Sequence, residues 1–89
     1  MPKAEISWKR VTDEGDKIQV YAQHIGRDWL FYRREKRFDV WQRVEKPPLE
    51  DWMELLDSLV RLVNRRRYQP SDEELLRRQI RERFPEAGV

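Results

Sequence analysis

The sequence predicts an α+β fold in which a four-stranded, or alternatively three-stranded, antiparallel β-meander is followed by two α-helices packed on one sheet face. Apolar residues alternate with polar ones up to Val44, which is the period of a half-buried strand. After the proline pair at 47–48 they recur with a period of 3.6, which is typical of an amphipathic helix. We therefore expect one small domain over residues 1–89, with the β-meander in 1–46 and a helical hairpin in 47–89.

The composition limits what the chain can do. Its 89 residues, of which 40% are charged and 38% hydrophobic, can bury only one small core, and this leaves little interior for a catalytic pocket. The chain has no cysteine, which excludes disulfides, thiolate zinc sites and cysteine nucleophiles and is typical of a reducing compartment. No apolar run approaches the roughly 20 residues that span a bilayer, and the first residues resemble no signal peptide. We expect a cytoplasmic protein without a membrane partner.

Glycine positions predict the first two turns of the meander. Four segments rich in aromatic and β-branched residues are predicted as strands, near residues 5–11, 17–25, 28–34 and 37–44. Gly15 closes a three-residue loop after the first strand, and Gly26 opens a two-residue loop of type II′ after the second. These loops pair Trp8 with Val20, Ile6 with Ala22, Tyr21 with Tyr32, Ala22 with Phe31, and His24 with Trp29.

The third turn has no glycine. We predict it at residues 35–36, or as a four-residue loop with the same register, although neither residue is favoured in a two-residue turn. This closure pairs Phe31 with Val40 and Leu30 with Trp41.

The three registers divide the side chains between two faces, because residues paired across an antiparallel ladder share a face. The core face is predicted to hold Ile6, Trp8, Ile18, Val20, Ala22, Trp29, Phe31, Phe38 and Val40. The outer face is predicted to hold Lys9, Tyr21, Gln23, Leu30, Tyr32, Arg34, Arg37, Trp41 and Arg43. From the helices, the core is expected to receive Trp52, Leu56, Leu59 and Ile80.

Two helices are predicted after the proline pair. The first begins near Leu49, with acidic residues in its first turn, and runs to about Arg66. Ser71 as N-cap, with Glu74 in a capping box, starts the second helix, and Pro85 ends it. The spacing of acids and arginines predicts surface ion pairs of Asp57 with Arg61, Glu73 with Arg77, and Glu74 with Arg78.

No residue pattern indicates an enzyme. His24 is the one histidine, and no second ligand stands at metal-binding spacing, so we expect it to be a structural or rim residue. The serines lie in no nucleophile-elbow sequence, and the three glycines are too far apart for a phosphate-cradling loop. We expect no catalytic residue, no cofactor and no metal.

Arg65, Arg66 and Arg67 form a secondary basic patch. Such a run is typical of nucleic-acid binding. It is also typical of a helix C-terminus, where the helix dipole favours cations, and this is the more ordinary explanation. An antiparallel hairpin would bring the acidic start of the second helix beside the patch and neutralise much of it.

The candidate binding face combines aromatic residues with cations on the outer face. It comprises Lys9, Tyr21, Tyr32, Arg34, Arg37, Trp41 and Arg43. Three interpretations are open: single-stranded nucleic acid stacks on the rings, a second copy or another protein covers the face, or the aromatics only stabilise the sheet. We expect a small non-enzymatic binding or assembly module that acts by protein interaction or self-association through this face, with nucleic-acid binding as the alternative.

Overall fold

The computed structural model describes residues 5–26, 28–36 and 39–89. The elements are β1 (Glu5–Val11), β2 (Lys17–Ile25), β3 (Asp28–Arg34), β4 (Gln42–Val44), α1 (Leu49–Asn64), α2 (Pro70–Arg83) and a 3₁₀ turn (Pro85–Ala87). The strands form one antiparallel sheet in the order β1-β2-β3-β4. The predicted α+β order of a four-stranded meander and two helices is therefore confirmed.

The chain divides into two compact units. The sheet unit is Met1–Pro47 and the helical unit is Pro48–Val89. The boundary falls at the proline pair, where the apolar period changes from that of a strand to that of a helix.

The first two hairpins have the predicted registers. Trp8 lies opposite Val20 in the β1–β2 ladder, and Tyr21 lies opposite Tyr32 in the β2–β3 ladder. Both turn glycines have a positive φ, 89° at Gly15 and 60° at Gly26. Residues with a side chain rarely adopt this conformation, so the glycines fix where the chain reverses.

The predicted register of the fourth strand is wrong. Phe31 lies opposite Val44 rather than Val40, and Val40 is 82% exposed in the loop before β4. Two hydrogen bonds join Lys36 and Asp39 before β4: the Asp39 N–H donates to the Lys36 carbonyl oxygen at 2.9 Å, and the Lys36 N–H donates to the Asp39 Oδ2 at 3.0 Å. The predicted core residue Phe38 lies outside the described residues.

The error of register leaves the two faces unchanged. The shift from Val40 to Val44 is an even number of residues, and side chains alternate between faces with a period of two. Val44 therefore takes the place predicted for Val40, and Arg43 remains on the outer face opposite Tyr32.

The core face of the sheet is buried. The fully or nearly buried side chains of the sheet unit are Ile6, Ile18, Val20, Ala22, Trp29 and Phe31. Trp8 is half-buried, and its ring meets the ring of Phe31 edge-on at a centroid distance of 6.2 Å. This set is buried, whereas Tyr32 and Trp41 are only half-buried. The predicted core face of β2 and β3 is therefore confirmed.

The helical unit has its own buried stripe. Its buried apolar side chains are Trp52, Leu55, Leu56, Leu59, Leu76 and Ile80. These residues recur at three- and four-residue intervals, so each helix presents one apolar side.

The start of α2 differs from the prediction. The helix begins at Pro70, and Ser71 lies exposed in its first turn rather than at the N-cap. The Asp72 carboxylate accepts a hydrogen bond from the backbone N–H of Gln69 at 2.9 Å. Proline has no N–H and a fixed φ, which suit the first helical position. The N-cap is therefore Gln69, two residues before the predicted Ser71.

Candidate functional site

The structure brings most of the candidate binding face together on the sheet unit. Tyr21 and Tyr32 lie opposite each other on β2 and β3, and Arg43 lies opposite Tyr32 on β4. Lys9 is exposed on β1, and Trp41 directly precedes β4. Arg37 lies outside the described residues.

Three aromatic rings of this face pack against one another. The rings of Tyr21 and Tyr32 are stacked, with centroids 4.7 Å apart and planes inclined by 12°. The Trp41 ring meets Tyr21 at the same centroid distance but at 82°, which is an edge-to-face contact. Both arrangements are favourable for aromatic quadrupoles. We call Tyr21, Tyr32 and Trp41 the aromatic cluster, and all three are half-buried.

Arg34 is part of this packing. Its guanidinium carbon lies 4.2 Å from the Trp41 ring centroid, and its Nε donates to Gln19 Oε1 at 2.7 Å. The cation is thus held over an indole and fixed by an amide. The sequence placed Arg34 on this face but did not predict the contact, because the contact depends on the position of β4.

The face has a neutral centre and a charged perimeter. Around the tyrosine pair lie further half-buried neutral side chains: Gln19, Gln23 and Leu30. The exposed charged positions lie on edge strands or at strand ends: Lys9 on β1, Arg43 on β4, Lys17 at the start of β2 and Asp28 at the start of β3. Interfaces between proteins often combine an aromatic core with a polar rim in this way.

Three residues of this arrangement were absent from the predicted outer face. Gln19 and Lys17 precede Tyr21 by two and four residues, and Asp28 precedes Tyr32 by four. The period of two along a strand assigns them to the outer face, so the signal was present in the sequence. Lys17 and Asp28 lie at opposite ends of the β2–β3 hairpin, because those strands are antiparallel.

A shallow depression adjoins the aromatic cluster. It encloses about 340 Å³ and is lined by Ser7, Trp8, Lys9, Gln19, Arg34 and Trp41. Its lining combines an indole edge with cationic and amide groups. Such a depression can receive one side chain of a binding partner.

His24 packs on the core side of the sheet. Its ring is stacked on Trp29, with centroids 4.5 Å apart and planes inclined by 9°. Among residues 5–26, 28–36 and 39–89, no three His, Cys, Asp or Glu side chains converge as a metal site would require. The stacking accounts for the imidazole as a packing group.

Three of the eight arginines of the helical unit have acidic partners. The predicted pairs of Arg61 with Asp57 and of Arg77 with Glu73 are present, at 2.7 and 2.9 Å. The predicted pair of Glu74 with Arg78 is wrong, since Glu74 instead lies 3.7 Å from Arg81.

The secondary basic patch differs from these arginines. Arg65, Arg66 and Arg67 are all exposed, and within the described part of the chain none of them forms an ion pair. The acids at the start of α2, which were expected to neutralise the patch, bond elsewhere: Asp72 to the Gln69 backbone and Glu73 to Arg77.

Neither α1 nor α2, nor any other described helical segment, has the length and apolar character needed to cross a membrane. Comparisons with protein-family models, with curated proteins and with solved structures each gave no match.

Proposed function

We propose that this chain is a non-enzymatic assembly module that pairs with a second copy of itself through the outer face of its sheet. The observation that carries the proposal is the neutral aromatic centre surrounded by charges. Tyrosine, tryptophan and arginine are the residues enriched at interface centres, where they supply large contact areas at a small loss of conformational entropy.

The ring geometry favours a protein partner over nucleic acid. Bases stack on aromatic rings whose faces are open. Here Tyr21 and Tyr32 each cover one face of the other, and Arg34 covers one face of Trp41. The cluster therefore offers fewer open ring faces to a base, whereas its half-buried aromatic side chains suit contact with the side chains of another protein.

Charge complementarity favours a second copy. Lys17 and Asp28 occupy opposite ends of the β2–β3 hairpin on the outer face. A two-fold axis that reverses the strand direction would place Lys17 of each copy near Asp28 of the other. Such a contact is self-complementary and closed, as in most symmetric dimers.

The size of the face sets the expected affinity. Four strands are about 19 Å wide, and seven residues are about 23 Å long. A face of this size is smaller than a standard stable interface and falls among weak, transient ones, so we expect a dissociation constant in the micromolar range or above.

Light-scattering mass over a concentration series tests the proposal. We expect the mass to rise toward twice 11.1 kDa and to persist at high salt. Trp41→Ala should weaken the dimer roughly 10- to 30-fold, as loss of an interface anchor does. Val40→Ala is the matched control, because Val40 is the exposed neighbour of Trp41 in the chain. A mass that stays at one chain at the highest concentration would refute the dimer.

A charge exchange tests the two-fold arrangement. Lys17→Glu and Asp28→Lys should each weaken the dimer roughly tenfold, because each brings like charges together in two places. The double exchange should restore most of the affinity. If the double variant is as weak as the single ones, Lys17 and Asp28 do not meet across the interface.

The nucleic-acid alternative has a separate outcome. The probe is a mixed-sequence single-stranded oligonucleotide. If it binds the wild-type chain as a monomer and binds the Trp41→Ala variant more weakly, base stacking on this face is favoured.

A further inference from the structure

We infer that the turn at the end of α1, formed by Arg65, Arg66 and Arg67, is a phosphate-binding site that takes the backbone of a nucleic acid. This site lies in the helical unit, whereas the outer face belongs to the sheet unit.

Three backbone hydrogen bonds fix the turn. The N–H of Arg65 donates to the Arg61 carbonyl oxygen at 3.1 Å, that of Arg66 to Val63 at 2.9 Å, and that of Arg67 to Leu62 at 2.9 Å. The last two bonds and the positive φ of Arg66 define a Schellman motif, which closes a helix C-terminus. The three arginines therefore project from a rigid backbone.

The backbone of the turn leaves no anion site of its own. Successive N–H groups in this conformation form a concavity that binds anions in other proteins. Here those N–H groups are donated to carbonyl oxygens of α1. Any anion at this turn is therefore bound by the guanidinium groups.

The choice of arginine at the centre of the turn works against local stability. Arg66 has a φ of 61°, a conformation in which glycine is the favoured residue because it has no Cβ. One cation would satisfy the helix dipole, and Arg65 or Arg67 already supplies it. The third positive charge is thus retained in a strained position, which is a feature of binding sites.

Three arginines of the same unit provide a comparison for this turn. Arg61, Arg77 and Arg81 each pair with an acid one or two helical turns away. In contrast, the side chains of Arg65, Arg66 and Arg67 have no hydrogen-bond or ion-pair partner anywhere in 5–26, 28–36 or 39–89. Three guanidinium groups are therefore available to an external anion.

The chemistry of the site favours phosphate over other anions. A guanidinium matches phosphate oxygens through two parallel hydrogen bonds, and adjacent cations suit regularly spaced charges. The exposed residues that flank the turn, Asn64 and Gln69, are polar. A membrane surface would require an apolar anchor or a larger cluster of cations, so a nucleic-acid backbone is the better match.

Salt dependence measures the number of phosphate contacts. With three contacts, the affinity for a duplex should fall about 40-fold between about 50 and 200 mM salt. Fluorescence anisotropy of the full chain with a mixed-sequence duplex should show this fall. An affinity that does not change with salt would overturn the inference.

Arg66→Gly is the decisive variant, because it removes one guanidinium and relieves the positive φ at the same position. The duplex affinity of this variant should fall only about 12-fold over the same salt range, as expected for two phosphate contacts. The thermal midpoint should rise by a few degrees, so weaker binding could not be attributed to unfolding.

Matched controls define the site. Arg78→Gln removes the same charge from an exposed position of α2 and should leave binding unchanged. If Arg78→Gln weakens binding as much as Arg66→Gly, the effect is one of net charge and the site is refuted. Binding to phosphatidylserine vesicles without binding to the duplex would equally refute a nucleic-acid site.

Discussion

On one face of the sheet Trp29 and Phe31 are 4% and 1% exposed, whereas on the other face Tyr21 and Tyr32 remain half-buried. The core-face rings lie among aliphatic neighbours such as Val20 and are stabilised mainly by removal of apolar surface from water. The outer-face rings are stabilised by their geometry toward each other. Both faces are aromatic, but the tyrosine pair of the outer face keeps more of its surface accessible than Trp29 and Phe31 do.

The difference predicts that the two faces respond differently to substitution. Loss of a core-face ring leaves a cavity that the close-packed surroundings cannot fill. Loss of an outer-face ring removes a partner from a stack but opens no enclosed void. Substitutions on the two faces should therefore differ in both size and kind of effect.

The largest effect is expected at the centre of the core face. Phe31→Ala should lower the free energy of unfolding by about 3–5 kcal/mol, because it leaves a cavity between buried neighbours. Urea denaturation of the full chain measures this loss. A decrease below about 1 kcal/mol would mean that the core face is not closely packed.

An intermediate effect is expected at the centre of the outer face. Tyr32→Ala should lower the free energy of unfolding by about 1–2 kcal/mol through loss of the cross-strand stack. Tyr32→Phe retains the ring and should change stability little. If Tyr32→Ala is as damaging as Phe31→Ala, the two faces do not differ in the way described.

The smallest effect is expected for the contact of Arg34 with Trp41. A double-mutant cycle of Arg34→Gln and Trp41→Ala should give a coupling energy of about 0.5–1 kcal/mol, the usual strength of an exposed cation–π pair. The matched cycle with Arg43→Gln should give no coupling. Equal coupling in both cycles would indicate a general charge effect rather than a specific stack.

The two hairpins whose turns contain glycine could be predicted from the sequence. Gly15 and Gly26 fix two reversals, and the alternation of apolar residues then assigns Val20 and Phe31 to the core face. The reversal before β4 depends instead on the carboxylate of Asp39, which accepts the Lys36 N–H. Aspartate occurs in many loops, so its presence alone did not define that turn.

The sequence predicted which residues belong to the candidate site, but it did not predict the contacts between them. Tyr21 and Tyr32 face each other because of the Gly26 turn, and that pairing followed from loop length. The contact of Trp41 with Arg34 requires the true position of β4, four residues from the predicted register. Likewise, the isolation of the arginine turn depends on which acids the neighbouring side chains reach, and spacing alone did not predict that Glu74 pairs with Arg81.

The meander also has a consequence for how the sheet forms. Every described strand pairs only with its neighbours along the chain, and no ladder joins residues farther apart in sequence than Glu5 and Gln23. Closing such short loops costs little conformational entropy. The contact order is low for a β-structure, so we expect the sheet to fold in milliseconds or less. The sheet can grow by successive hairpins, which limits the time during which an incomplete sheet exposes its apolar face to aggregation.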